Sequence, residues 1–206
     1  MYRILRICLL TVLVVSMTGI CFADSAVHTK RIAILPIIDQ TGQLGTELGV
    51  RFAKQLQQEF YVPLNGTLKA VEFIPQERSI AVLGKINKAS SSIPDKKAQQ
   101  LTQEKMKLLA DDLQADVTVG LVVYEMYEII HPDGRDGDMY MESGVGLRLI
   151  GYDRKNDRFI NTESSDYYLD EYEPAGTVSE LSKNTMSRLF QQAELKKCIF
   201  PLSETK

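Results

Sequence analysis

Arg31-Ile-Ala-Ile-Leu-Pro-Ile-Ile38 and Ala115-Asp-Val-Thr-Val-Gly-Leu-Val-Val-Tyr124 decide the fold of this chain. Both are dense in β-branched residues and too short for a helix of ordinary length. Such runs suit central strands buried on both faces. Pro36 has no amide hydrogen to donate, so it marks a bulge or the end of the first strand. The second run continues through Tyr127 to Ile130, long enough for a central strand plus an outgrowth.

Asp39-Gln-Thr-Gly42 has loop chemistry. A helix is expected from Thr46 to Phe60, because Leu48, Phe52, Leu56 and Phe60 recur every fourth residue and form one stripe. Asn65-Gly66 reads as a turn, and Leu68 to Ile74 as a strand. Pro75 can open a helix carrying Ile80, Leu83 and Ile86 inward. A longer helix is expected from Asp95 to Gln114, with Ala98, Leu101, Leu108, Leu109 and Leu113 inward. His131 to Asp138 is a turn. Tyr140 to Tyr152 alternates, with Val145, Leu147 and Leu149 on one face and Arg148 on the other. Asp153 to Asp157 turns the chain again, and Phe159 to Leu169 returns. Thr177-Val-Ser-Glu180 has the spacing of a capping box at the start of a last helix, expected to reach Leu195 and to bury Val178, Leu181 and Leu189. The expectation is one α/β domain. Its mixed β-sheet has about five strands, ending in an antiparallel meander, packed with about four helices.

The N-terminus has a different logic. Arg3 and Arg6 precede an apolar run from Ile7, which fades into Cys21-Phe22-Ala23. This is the pattern of a secretory signal peptide cut between Ala23 and Asp24. A retained anchor needs about 20 apolar residues; Ile7 to Phe22 offers 16, interrupted by Ser16 and Thr18. Acylation of Cys21 would call for a smaller residue than Ile20 before it. The organisation expected is a signal peptide over 1–23, a loose tail over 24–30 and the domain over 31–206, with no integral membrane span in the mature chain.

Removal of the leader takes two of the 24 Lys and Arg and none of the 27 acids, leaving a net charge of −5. The cations are not clustered, so neither nucleic acid nor an anionic lipid surface is an expected partner. Cys198 becomes the only cysteine. It cannot close an internal disulfide, and the expectation is a small apolar residue tucked into the domain, with an intermolecular bridge as the alternative.

Chemistry is sparse. The only histidines are His28 and His131, and no G-x-S-x-G elbow occurs, so a nucleophilic triad has no parts. The His and Cys inventory cannot fill a zinc site. Asp133, Asp136 and Asp138 could offer oxygens to calcium, but their spacing is not that of an EF-hand, and Asp and Gly are ordinary turn residues. Gly42, Gly45 and Gly49 lie between strand and helix without either phosphate-loop spacing. Glu125 with Glu128, or Glu163 with Asp166, would have to face one another to hydrolyse a glycan. No cofactor is expected and no catalytic residue is assigned.

Four segments together resemble the fold of the TolB amino-terminal domain and the CsgG and LpoB type envelope proteins. They are Arg31 to Gly42, the Leu48, Phe52 and Leu56 stripe, Ala115 to Gly120, and Val145-Gly-Leu-Arg-Leu-Ile-Gly-Tyr-Asp153. The resemblance spans most of the mature chain. It implies a non-enzymatic module of the periplasm or cell envelope that serves assembly or secretion through protein–protein interaction, with other envelope proteins as partners. It carries over no catalytic residue.

Seven of the nine tyrosines fall between Tyr124 and Tyr172, many among acids. Strand preference accounts for tyrosines in a strand-rich half; an interface is the alternative. Docking would use a sheet edge or a Tyr-acidic face formed by Tyr167, Tyr168, Asp170 and Tyr172. The other function classes left open are a hydrolase of an envelope polymer and a small-ligand or calcium module using the Asp133–Asp138 turn. The partner's identity and the oligomeric state are not encoded in any motif.

Overall fold

The computed structural model describes residues 29–60, 71–90, 100–132 and 139–199. The leader with its Ala23–Asp24 junction, the tail as far as His28, the Asn65-Gly66 turn, Ala98 and the Asp133–Asp138 turn lie outside the described residues.

The first apolar run is split at the proline. Strand β1 spans Lys30–Ile34 and β2 spans Ile38–Asp39, with Pro36 in the gap. The pairing with β4 slips by one residue across it, from Ile34 opposite Val119 to Ile38 opposite Val122, as a bulge at the proline requires. Between the two, the Leu35 amide still donates to the Val119 carbonyl at 2.8 Å. Helix α1 (Thr46–Glu59) follows and buries Phe52 and Leu56 completely, with Phe60 at its C-terminal cap. Full burial of each such side chain stabilises the fold by about 1.5–3 kcal/mol. Then come β3 (Val71–Ile74), α2 (Gln76–Ser90) and α3 (Gln103–Leu113). Three long strands, β4 (Val117–Pro132), β5 (Met139–Asp153) and β6 (Arg158–Glu171), form the meander. A 3₁₀ turn at Pro174–Gly176 leads into α4 (Val178–Ala193) and the short α5 (Leu195–Ile199).

The expected mixed sheet is present, ordered β3-β1-β4-β5-β6, with β2 alongside β4. The pairs β1–β3, β1–β4 and β2–β4 are parallel, and β4–β5–β6 is antiparallel. One face is covered by α1 and α4 over Ile32, Val117, Val119, Leu121, Leu147 and Leu149. The other is covered by α2 and α3 over Ala33, Val122, Ile150 and Tyr152.

The helices correct two sequence expectations. In α2 the inward residues are Ser79, Val82, Leu83 and Ile86, while Ile80 is 51% exposed. The i, i+3, i+4, i+7 spacing of that set follows the helix, whereas 80, 83 and 86 drift around it. In α3 the helix starts at Gln103, because Thr102 caps it by accepting from the Lys105 amide. Leu101 is buried ahead of the helix, and Met106, Leu109, Ala110 and Leu113 line its inner face. Leu108, one position off that face, is 51% exposed. Lys30, assigned to the tail, is already paired with Val71 in β1.

The expected capping box is not made. Thr177 is the N-cap of α4, but its side chain caps nothing and its hydroxyl donates to the Pro174 carbonyl at 2.8 Å. Glu180 instead pairs with Lys183 at 2.5 Å. The first amide of α4, that of Val178, donates to the Glu128 carboxylate of β4 at 2.9 Å.

Candidate interaction surface

Strands β4, β5 and β6 have 16, 15 and 14 residues, against 5 and 4 for β1 and β3. Their far halves therefore run beyond the parallel part of the sheet. The register shifts between Val123 and Glu125, where Tyr124 is the extra residue of a β-bulge. A bulge flips the alternation of the residues beyond it. Past Tyr124, Met126, Glu128 and Ile130 share the α1/α4 face, while Glu125, Tyr127, Ile129 and His131 share the α2/α3 face.

The two faces of this extension fare differently. On the α1/α4 side it is bolted to the domain. Glu128 caps α4, the Ser143 hydroxyl donates to the Gly176 carbonyl, and the Tyr168 ring lies against Gly176. A methyl group on Gly176 would sit 2.3 Å from Tyr168 Cδ1. On the opposite side neither hydrophobic cluster extends beyond Val122 among the described residues. That face carries its own floor of rings. Tyr127 lies over Gly144 and Tyr124 over Gly146, at distances that leave no room for a Cβ on either glycine. Tyr124 is also capped by Arg148, whose guanidinium stands 5.8 Å from the ring centre. Around them Ile129, Tyr140, Tyr167 and Leu169 are exposed, Leu169 by 60% and Tyr167 by 55%.

The four proposed interface residues do not share one face. Tyr167 lies on the open side. Tyr168 and Asp170 project to the other side, as alternation along β6 requires. Tyr168 is half-buried and its hydroxyl donates to the Glu171 carbonyl at 2.7 Å, while Asp170 accepts from the Glu171 amide at 2.8 Å. Tyr172 follows the strand, its amide donating to the Met139 carbonyl at 2.8 Å, with its ring 46% exposed. Tyr124 and Tyr127 belong to the surface and were not singled out from sequence. The signal was present: Gly144-Val-Gly146 is the only G-x-G of the chain and falls opposite a tyrosine-rich strand.

The open face is acidic. Burial and then the Glu142 carboxylate push the hydroxyls of Tyr127 and Tyr167 above the usual tyrosine range, and Glu125 adds to the effect on Tyr127. His131 Nε2 stands 3.5 Å from Glu142. At the inner boundary Arg148 and Glu163 form an ion pair at 2.5 Å.

The outer edge of β6 is occupied by side chains. Asp166 accepts from the Tyr167 amide at 3.2 Å and pairs with Arg188 of α4 at 3.0 Å. Arg188 also donates to the Ser165 carbonyl at 2.9 Å.

Among the described residues the other candidate chemistries find no assembled site; the Asp133–Asp138 turn lies outside those residues. Glu163 and Asp166 point to opposite faces of β6, each on its own arginine, so they cannot converge on a glycosidic bond. Glu125 and Glu128 are likewise on opposite faces. The loop after β2 turns its amides inward: Asp39 accepts from the Thr41 amide at 2.9 Å and the Leu44 amide at 3.0 Å. Those amides are spent on Asp39 rather than offered to a phosphate. A recess of about 320 Å³ under α3 is lined by Gln40, Gln103, Arg148 and Asn161, with no carboxylate or histidine. Among the described residues no group of three His, Cys, Asp or Glu could hold a metal ion, and no helix is long and apolar enough to cross a membrane. Cys198 is buried against the core, as expected, and burial followed by the nearby Asp153 charge pushes its thiol up to about 11.

No protein-family model matches the chain, and no curated protein is detectably similar to it. Several solved structures are similar at low identity. The hypothetical protein CT253 from Chlamydia trachomatis is 13% identical with a TM-score of 0.42, over 84% of this chain and 99% of that one. Lipoprotein GNA1162 from Neisseria meningitidis is 12% identical with a TM-score of 0.40, over 79% of this chain and 99% of that one. The LpoB C-terminal domain from Salmonella enterica is 10% identical with a TM-score of 0.36, over 68% of this chain and 82% of that one.

Proposed function

We propose that the chain is exported, cut between Ala23 and Asp24, and acts in the periplasm or cell envelope as a non-enzymatic module that holds another envelope protein during assembly or secretion. One observation carries this reading. The domain closes both faces of its sheet with helices, yet extends three strands beyond them with a tyrosine-floored face that no described helix covers. Rings that fill glycine sites form a rigid, amphipathic surface, and such surfaces favour protein contact. The leader and the resemblance to TolB, CsgG and LpoB type domains support the compartment. Tyr167 and Tyr172 are the exposed rings of the reading; Tyr168 braces it from behind against Gly176, and Asp170 lies exposed on the same rear side.

Site-specific photocrosslinking in intact cells tests the proposal. A crosslinker at position 167 or 169 is expected to capture one envelope protein, and a crosslinker at exposed position 80 on α2 is not. Equal capture at all three positions, or none at 167 and 169, rejects the surface. Amino-terminal sequencing of the recovered chain is expected to begin at Asp24; an uncut chain in the cytosolic fraction rejects the compartment.

A further inference from the structure

The strand segments 124–132, 139–147 and 164–171 contain six carboxylates and no Lys or Arg. In a chain with 24 Lys and Arg this is a marked local asymmetry. Three of the six are committed to the braced side: Glu128 caps α4, Asp166 holds Arg188, and Asp170 accepts from the Glu171 amide. The other three, Glu125, Glu142 and Glu171, stand on the open face. None has a Lys or Arg partner among the described ion pairs; Glu142 stands 3.5 Å from His131 and accepts from the Tyr127 and Tyr167 hydroxyls. The same face presents Tyr127, Tyr140 and Tyr167, whose ring faces attract cations. Carboxylates and aromatic faces together select a positively charged, partly apolar ligand, and they repel an acidic one.

Resting on the docking reading above, we propose that the occupant of the open face is a cationic segment of another protein, with Arg or Lys side chains set among apolar ones. Its cations lie between the Tyr127 and Tyr167 rings and the Glu125 and Glu142 carboxylates, and its apolar residues cover Ile129 and Leu169.

The test uses the purified protein and two fluorescein-labelled ten-residue peptides, one alternating Arg with Leu and the other alternating Glu with Leu. Fluorescence anisotropy is expected to show binding of the Arg peptide only, weakening as salt rises from about 50 to about 300 mM. Glu125→Gln with Glu142→Gln is expected to weaken it about fivefold. Glu77→Gln with Glu104→Gln, the same charge change on exposed positions of α2 and α3, is expected to change it less than about twofold. Thermal melting checks that both double variants remain folded. Absence of Arg-peptide binding, or equal loss in the two double variants, overturns the cationic partner. If that happens while position 167 still crosslinks one envelope protein, the docking reading stands and only the partner's chemistry falls.

Discussion

Replacing Glu128 by Ala should destabilise the domain more than replacing Thr177 by Ala, the reverse of what the local sequence suggests. Thr177 is the N-cap by position, but its hydroxyl donates to the Pro174 carbonyl and satisfies none of the free amides of α4. Glu128 reaches the Val178 amide at 2.9 Å and brings a negative charge to the positive end of that helix. A lost cap costs about 0.5–2 kcal/mol, and the charge at the helix end adds about 0.3–1 kcal/mol. The contact is exposed, which places the Glu128→Ala cost at about 1 kcal/mol. For a domain of this size that is a fall of about 2–4 °C in melting temperature. Thr177→Ala should cost about 0.5 kcal/mol or less, the worth of one exposed hydrogen bond. Urea titration of the two variants measures both, with unchanged m-values confirming that only stability has moved. A Thr177→Ala loss equal to or larger than that of Glu128→Ala would refute the assignment.

Three further outcomes rest on the same geometry. Gly176→Ala should cost about 1–3 kcal/mol, because its methyl would displace the Tyr168 ring, whereas Gly84→Ala should stabilise by up to about 1 kcal/mol, because nothing lies near that mid-helix position; calorimetry separates the two. Cys198 should resist a thiol reagent such as dithionitrobenzoate at pH 8 until the protein is unfolded. Its thiol is raised to about 11 in the fold, so its contribution is intact below the ordinary cysteine range and is lost as pH rises through about 9–11; an alkaline stability loss matching that of Cys198→Ala would contradict this. For Asp39, burial pushes the carboxyl up, but hydrogen bonds from Thr41, Leu44 and Gly42 outweigh it and hold the pKa below the usual range. Its stabilisation is present above that range and fades as pH falls through the lowered value, so Asp39→Asn should flatten the acid limb of the stability curve.

The order of elements was legible because long apolar runs and four-residue stripes are local signals. Phe52, Leu56 and Phe60 were placed correctly on that basis, and so was the meander around Val145, Leu147 and Leu149. The phase of α2 was not. Its stretch holds apolar residues at 80, 82, 83 and 86, and only contact with α3 and the sheet decides that Ser79 goes in and Ile80 goes out. Leu108 failed for the same reason. The surface was half legible. The tyrosine concentration stood in the sequence, but the pairing of Tyr127 with Gly144 depends on cross-strand register. That register in turn depends on a bulge at Tyr124, which no composition signal marks. Glu128 as a cap was beyond reach, because its partner lies 50 residues away.

The side chains along the rim of β6 constrain how anything can approach. Asp166 and Arg188 already occupy the Tyr167 amide and the Ser165 carbonyl, and Asp170 occupies the Glu171 amide. A second copy trying to zip its own last strand against this one would have to evict those groups first. Natural sheets avoid runaway stacking by such devices. With those backbone groups taken, strand-to-strand addition along this rim is disfavoured, and the exposed rings beside it remain as unspent contact area.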